Sequence, residues 1–191
     1  MSIDLPGFAD PVAGAQSCFR AVLQATSRPG SRHKIADSLR APAPLHPATA
    51  AVMLTLIDTD TALWASGEWT AAREWIAFHC GAAFAPTADQ ADYVLANKLP
   101  DIAALKTGSD AGPEDSATVI LQVAGFDGGR DVLLVGPGLA RPQPFNVAGL
   151  PANFAAIWAA NHALFPRGVD LLLCAGAEVV ALPRSVSISE A

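Results

Sequence analysis

From Val12 onward, apolar residues recur at three- and four-residue intervals: Val12, Ala15, Phe19, Val22 and Leu23. A helix turns once in 3.6 residues, so this spacing gathers them into one stripe. It predicts an amphipathic helix with that stripe buried and Gln16, Arg20 and Gln24 lying off it. Both ends of the helix are marked. Asp10 can accept an orphan N–H through its side chain, and Pro11, which has no N–H to leave unpaired, follows at the first helical position. Pro29-Gly30 stops it, because proline disfavours helix at the residue before it and glycine accepts left-handed backbone. Ser27 and Arg28 stand at that stop.

The same reading carried along the chain predicts alternating elements. Residues 31–37 read as a short edge strand, and Pro42 and Pro44 mark a loop. His46-Pro47 opens a second helix through ATAAVMLTLID, apolar nearly all round and therefore placed in a core or an interface. Residues 61–66 (TALWAS) read as a buried strand. A third helix follows, capped by Thr70, with Ala71, Trp75, Phe78 and Ala82 on its buried face. Residues 91–96 read as a strand and 101–105 as a short helix, while the turn-rich run 106–115 (KTGSDAGPED) reads as a mobile loop.

Beyond it, 117–124 and 131–135 read as strands joined by a hairpin turn over 125–130. Residues 136–149 are rich in proline and glycine. Residues 151–164 form an amphipathic helix carrying Phe154, Ile157, Trp158 and Leu164. Strands at 169–174 and 179–182 flank an Ala-Gly-Ala turn, and the polar tail SISEA is expected to fray. Helices and strands alternate first and paired strands follow, so the expected fold is α/β: one domain over residues 1–191, a three-layer α/β/α sandwich around a mixed sheet.

Composition sharpens this picture. The chain has 191 residues, enough for one sizeable core. Apolar residues make up 51% and charged residues 16%, against about 25% charged in ordinary soluble domains. The excess of apolar material implies surface covered by another polypeptide. A net charge of −6 with no basic block excludes a nucleic-acid binder and a peripheral membrane protein. The N-terminus has no charged region leading into an apolar core, and no apolar run is long enough to span a bilayer, so the expected location is the cytoplasm. Cys18, Cys80 and Cys174 lack CxxC spacing and read as buried thiols of a reducing compartment.

Catalytic constellations are missing from the pattern. His33, His46, His79 and His162 form no ligand pair at metal-binding spacing, so no metal is expected. No GxSxG elbow presents a serine, and Ser27 reads as a partner for the last helical carbonyls. Of the three lysines, Lys34, Lys98 and Lys106, none has the apolar setting of a Schiff-base amine. The residues left as ligand or partner contacts are Arg20, Ser27, Arg28, Gly30, Gly136, Gly138 and Arg184. Arginines can grip a phosphate, a phosphonate or a partner's carboxylate by paired N–H bonds, and a glycine turn after a strand can bring backbone N–H groups to an anion. Against this, Pro137 removes a donor from the Gly136-Pro137-Gly138 turn, and an arginine can also lie over apolar surface with its head in water. Two functional readings follow: an interaction subunit without a catalytic residue of its own, or a stand-alone binder or enzyme for an anionic substrate built on Arg28, Arg184 and the turn at 136–138.

The N-terminal series DPV…AQ..FR..L.A.SRPG resembles the signature of the PhnH family, a subunit of the bacterial carbon–phosphorus lyase core complex. Further similar segments follow in order: LTLIDTDTALW, FHCGA, TGSDAGPEDSATVILQV, LLVGPGL, FPRGVDLLL and LPRSV. Thr26 stands where many members have methionine, a change confined to a helix end. The resemblance implies a fold like the large α/β domain of PLP-dependent transferases, but without PLP or any other cofactor. It implies a homodimer joined to the G, I and J subunits in a complex that converts alkylphosphonates to phosphate through a ribose 1-methylphosphonate 5-triphosphate type of intermediate. The radical iron–sulfur chemistry would belong to another subunit. The helix over 47–56 and the N-terminal helix are the expected dimer faces.

Overall fold

The computed structural model describes residues 4–35 and 39–190. Its main sheet has seven strands in the order β1 (His33–Lys34), β9 (Glu178–Leu182), β8 (Asp170–Ala175), β5 (Thr118–Gln122), β4 (Tyr93–Ala96), β2 (Ala62–Ala65) and β3 (Ala83–Phe84). The five strands from β8 to β3 run parallel. β9 is antiparallel to β8, and β1 to β9, so the sheet is mixed. Four α-helices accompany it: α1 (Pro11–Ser27), α2 (Pro47–Leu56), α3 (Thr70–Cys80) and α4 (Phe154–His162). A second sheet of three antiparallel strands is ordered β10 (Ser187–Glu190), β6 (Val132–Val135), β7 (Gln143–Phe145).

The central strands of the main sheet are buried on both faces, which is why VILQ and DLLLCA read as near-continuous apolar runs. Alternate residues divide between two cores. Leu95, Ile120, Leu172, Cys174, Val179 and Ala181 pack with residues of α1, α2 and α3. Val94, Val119, Leu121, Leu171, Leu173 and Val180 pack with Phe154 and Trp158 of α4 and with Val132, Leu134 and Phe145 of the small sheet. One face of the main sheet is therefore covered by helices, and the other by one helix and a second sheet.

α1 starts as its caps dictate: the Asp10 carboxylate accepts from the amides of Val12 (3.1 Å) and Ala13 (3.0 Å). Its rotation differs from expectation. The helix buries Cys18, Val22 and Ala25, while Val12, Phe19 and Leu23 are 68%, 51% and 54% exposed. The buried side is made of small residues, which let the helix axis sit close to α2 and β9. The bulkier side is left outward. α3 buries Trp75 as expected, together with Ala72 and Ile76, but its rotation leaves Phe78 71% exposed. Thr70 opens α3 but its hydroxyl donates back to the Gly67 carbonyl (2.6 Å), so it does not cap the amides ahead. α2 is buried in the chain's own core from Ala48 to Met53, so that stretch cannot serve as a dimer face.

Other stretches find partners that local patterning did not anticipate. Residues 125–130 do not close a hairpin, because β5 pairs with β4 and β8 while β6 belongs to the other sheet. The tail over 187–190 pairs with β6 as β10, and the proline-rich run contributes β7. The loop over 106–115 is held by three cations: Lys106 pairs with Asp92, Arg167 with Asp110, and Arg184 donates to the Pro113 carbonyl. Only His33 and Lys34 of the expected edge strand over 31–37 pair with β9, and residues 36 and 37 lie outside the described set.

Candidate functional site

The exit of α1 packs on the turn after β6. Gly138, at φ 84°, comes so close that a β-carbon on it would lie 2.2 Å from the Ser27 carbonyl oxygen and 3.1 Å from Pro29 Cδ. Gly30, at φ 79°, faces Leu134 of β6, whose Cδ1 would be 2.9 Å from an added β-carbon. Gly136 lies against the Ser185 carbonyl and Val186 Cα, each 3.0 Å from where its β-carbon would be. Ser27, Gly30, Gly136 and Gly138 therefore converge on one junction. There each glycine admits neighbouring protein atoms where a cradle would hold an anion. Ser27 Oγ donates to the Gln24 carbonyl (3.1 Å), satisfying a late helical oxygen as its position predicts.

Arg184 follows β9 and is tied into the scaffold. Its backbone amide and Nε donate to Asp170 Oδ1 (2.7 and 3.2 Å), its Nη2 to Asp170 Oδ2 (2.6 Å), and its Nη1 to the Pro113 carbonyl (2.8 Å). The side chain is only 15% exposed. Two groups of α4 secure the same segment: His162 Nδ1 lies 2.8 Å from the Arg184 carbonyl, and Trp158 Nε1 donates to that of Val186 (2.7 Å). Arg184 thus joins the start of β8, the end of β9 and the loop at Pro113, and its charge is matched by Asp170. Arg20 and Arg28 are exposed and have no ion pair among the described residues. Arg20 lies two turns up α1 from Arg28.

Sequence reasoning missed a cavity of about 200 Å³ between the last turns of α1 and α2 and the first residues of β4, β5 and β8. Val22, Leu56 and Leu172 line it with Thr26, Tyr93, Thr118 and Asp170. Burial pushes the Tyr93 phenol up, and the charges of Asp92 and Asp58 add to the shift. Helix C-termini and carboxylates make this an unfavourable seat for an anion. These residues are scattered along the chain, and no local motif announces them.

At the opposite edge of the sheet, the N-terminus of α2 meets the end of β5. Gln122 Oε1 accepts from the His46 amide (2.7 Å) and from Thr49 Oγ1 (2.8 Å), while Nε2 donates to the Pro44 carbonyl (2.9 Å). The His46 ring closes the arrangement: its Nδ1 accepts from the Gly176 amide (3.1 Å), and burial lowers its pKa. Open α/β sheets commonly bind ligands at this edge, with phosphate at a helix N-terminus. Here the chain's own amide fills that position. Lys98, after β4, is exposed, and Lys106 is paired with Asp92. Burial pushes the Cys80 thiol up to about 12 and raises those of Cys18 and Cys174, so all three are poor nucleophiles. Among the described residues no three His, Cys, Asp or Glu side chains gather as a metal site, and no helix is long and apolar enough to cross a membrane.

Comparison with known proteins agrees in extent with this one-chain architecture. The family described as bacterial phosphonate metabolism protein (PhnH) matches residues 6–189. The alpha-D-ribose 1-methylphosphonate 5-triphosphate synthase subunit PhnH of Rhizobium meliloti (strain 1021) is 38% identical over 186 residues, 95% of this chain and 93% of the relative. The putative C-P lyase subunit protein HtxG of Stutzerimonas stutzeri is 32% identical over 176 residues, 91% of this chain and 85% of the relative. With the match spanning nearly every element from the N-terminal arm to β10, the chain belongs to the PhnH family of bacterial phosphonate metabolism proteins.

Proposed function

We propose that this chain is an accessory subunit of a carbon–phosphorus lyase core complex, contributing to the breakdown of alkylphosphonates to phosphate while partner subunits carry the bond-breaking chemistry. The observation that carries this is the near full-length likeness to relatives named as subunits of a ribose 1-methylphosphonate 5-triphosphate synthase and of a C-P lyase. The site geometry supports it. The charged candidate Arg184 is matched by Asp170, the glycines at 30, 136 and 138 serve packing, and the cysteines are buried. Meanwhile Val12, Phe19 and Leu23 lie exposed on one helix, as expected of a surface awaiting another polypeptide.

On this reading the protein works in the cytoplasm as a homodimer joined to the G, I and J subunits. Its fold would be a three-layer variant of the large domain of PLP-dependent transferases that has lost the cofactor. Gln122 at the α2 N-terminus, where a cofactor phosphate would otherwise sit, supports that view. A stand-alone anion binder at Arg28, Arg184 and residues 136–138 has less support, because Arg184 and the glycines are already engaged.

The test is complementation. A bacterium lacking its own copy of this subunit, supplied with this chain, is expected to grow on methylphosphonate as its phosphorus source, and the chain should co-purify with the other core subunits. Failure of both, with the chain expressed and folded, would overturn the proposal.

A further inference from the structure

The outward face of α1 has a specific pattern. Val12, Gln16, Phe19 and Leu23 follow one another at steps of four, three and four residues, and all four are exposed. That is the spacing of a coiled-coil seam, here about 16 Å long, with one polar residue inside it. Arg20 flanks the seam, and Arg28 stands at its end. In a chain of net charge −6, residues 11–35 hold four of the twelve Lys and Arg and none of the eighteen Asp and Glu. Two of those four are compensated from elsewhere: Arg32 pairs with Asp127, and Lys34 lies opposite Glu178 across β1 and β9. Arg20 and Arg28 are not, so α1 is an apolar helix face edged by uncompensated positive charge.

We infer that α1 docks an amphipathic helix of another polypeptide whose apolar seam is flanked by carboxylates. This rests on the accessory-subunit reading for the identity of the complex, though not for the chemistry of the face. Seam spacing suits a helix, which sets side chains into the gaps between Val12, Phe19 and Leu23, better than an extended strand. Glutamates beside the partner's seam would meet Arg20 and Arg28, and Gln16 would set register by demanding a polar neighbour. A second copy of α1 fits poorly. It brings further arginines to the seam and no carboxylate within the helix to meet them.

The experiment is co-expression with the G, I and J subunits, purification through a tag on one of those partners, and native mass spectrometry of the assembly. Phe19→Asp and Arg20→Glu are expected to lower occupancy of this chain about tenfold or more. Both sites are exposed, so the purified variants should melt within about 2 °C of wild type. If wild type and both variants enter equally, the inference falls and the accessory reading stands.

If wild type itself does not enter, the accessory reading falls. The inference is then judged on the isolated chain by fluorescence anisotropy at low salt, with a synthetic amphipathic peptide carrying an Ile/Leu seam and glutamate flanks. The expected result is an affinity about tenfold above that for the lysine-flanked counterpart, reversed by Arg20→Glu. Equal affinities, or no binding to either peptide, would overturn it. So would a wild-type dimer that Phe19→Asp turns into a monomer, since α1 would then be covered by its own copy.

Discussion

The α-carbon of Gly138 faces the carbonyl of Ser27 so closely that a β-carbon would stand 2.2 Å from that oxygen. Backbone meets backbone here, at a residue with φ 84° that L side chains rarely adopt. Gly138→Ala should therefore push the 136–138 turn off the end of α1 and add left-handed strain, a loss of about 1–3 kcal/mol. Gly128, with φ 86° but open space around it, is the control and should lose less on the same substitution. Urea midpoints of the two variants measure the difference. Equal losses would mean that strain alone, and not the close contact, accounts for the effect.

Arg184 and Asp170 form a half-buried pair that ties three segments together. Asp170→Asn keeps the shape but withdraws the charge facing the guanidinium, and should cost about 1–3 kcal/mol. The loop over 106–115, released at Pro113, should become more open to hydrogen exchange. Unchanged exchange at Ser109 and Asp115 would show that the other two cations hold the loop unaided.

His46 makes stability depend on pH. Its Nδ1 accepts the Gly176 N–H, which only the neutral ring can do, and burial holds its folded pKa below the ordinary value. As pH falls through about 6.5 the unfolded chain takes up a proton before the folded one. The contribution of His46 is therefore present at neutral pH and lost progressively below that point. His46→Asn, which offers an oxygen acceptor and cannot titrate there, should flatten the decline between pH 7.5 and 5.5. Parallel pH profiles for the two proteins would assign the decline to other groups.

Trp158 and Phe19 are both large apolar residues at helical positions, with opposite surroundings. Trp158 is fully buried and bonded through Nε1 to the Val186 carbonyl, so Trp158→Ala should cost about 3–5 kcal/mol. Phe19→Ser removes a side chain that already stands half in water, and should change stability by no more than about 0.5 kcal/mol. Thermal melting of the purified variants separates them. A large loss for Phe19→Ser would mean that the outward face of α1 is covered in the isolated protein.

The chain by itself determined what depends on neighbours in sequence. The start and stop of α1 follow from Asp10, Pro11, Pro29 and Gly30, because capping acts over three or four residues. The apolar runs of β5 and β8 announced strands, because a short apolar run bounded by turn residues suits extended backbone. The family was legible for the same reason: its motifs are short local series kept in order. Tertiary structure alone decided which side of α1 faces inward, since an apolar helix carrying small residues on one flank and large ones on the other can bury either. It also decided that the strands before and after residues 125–130 part into separate sheets, that Arg184 belongs to Asp170, and that Gln122 caps α2. Each is a choice of partner between segments far apart in the chain, and local periodicity carries no information about which distant segment will meet it.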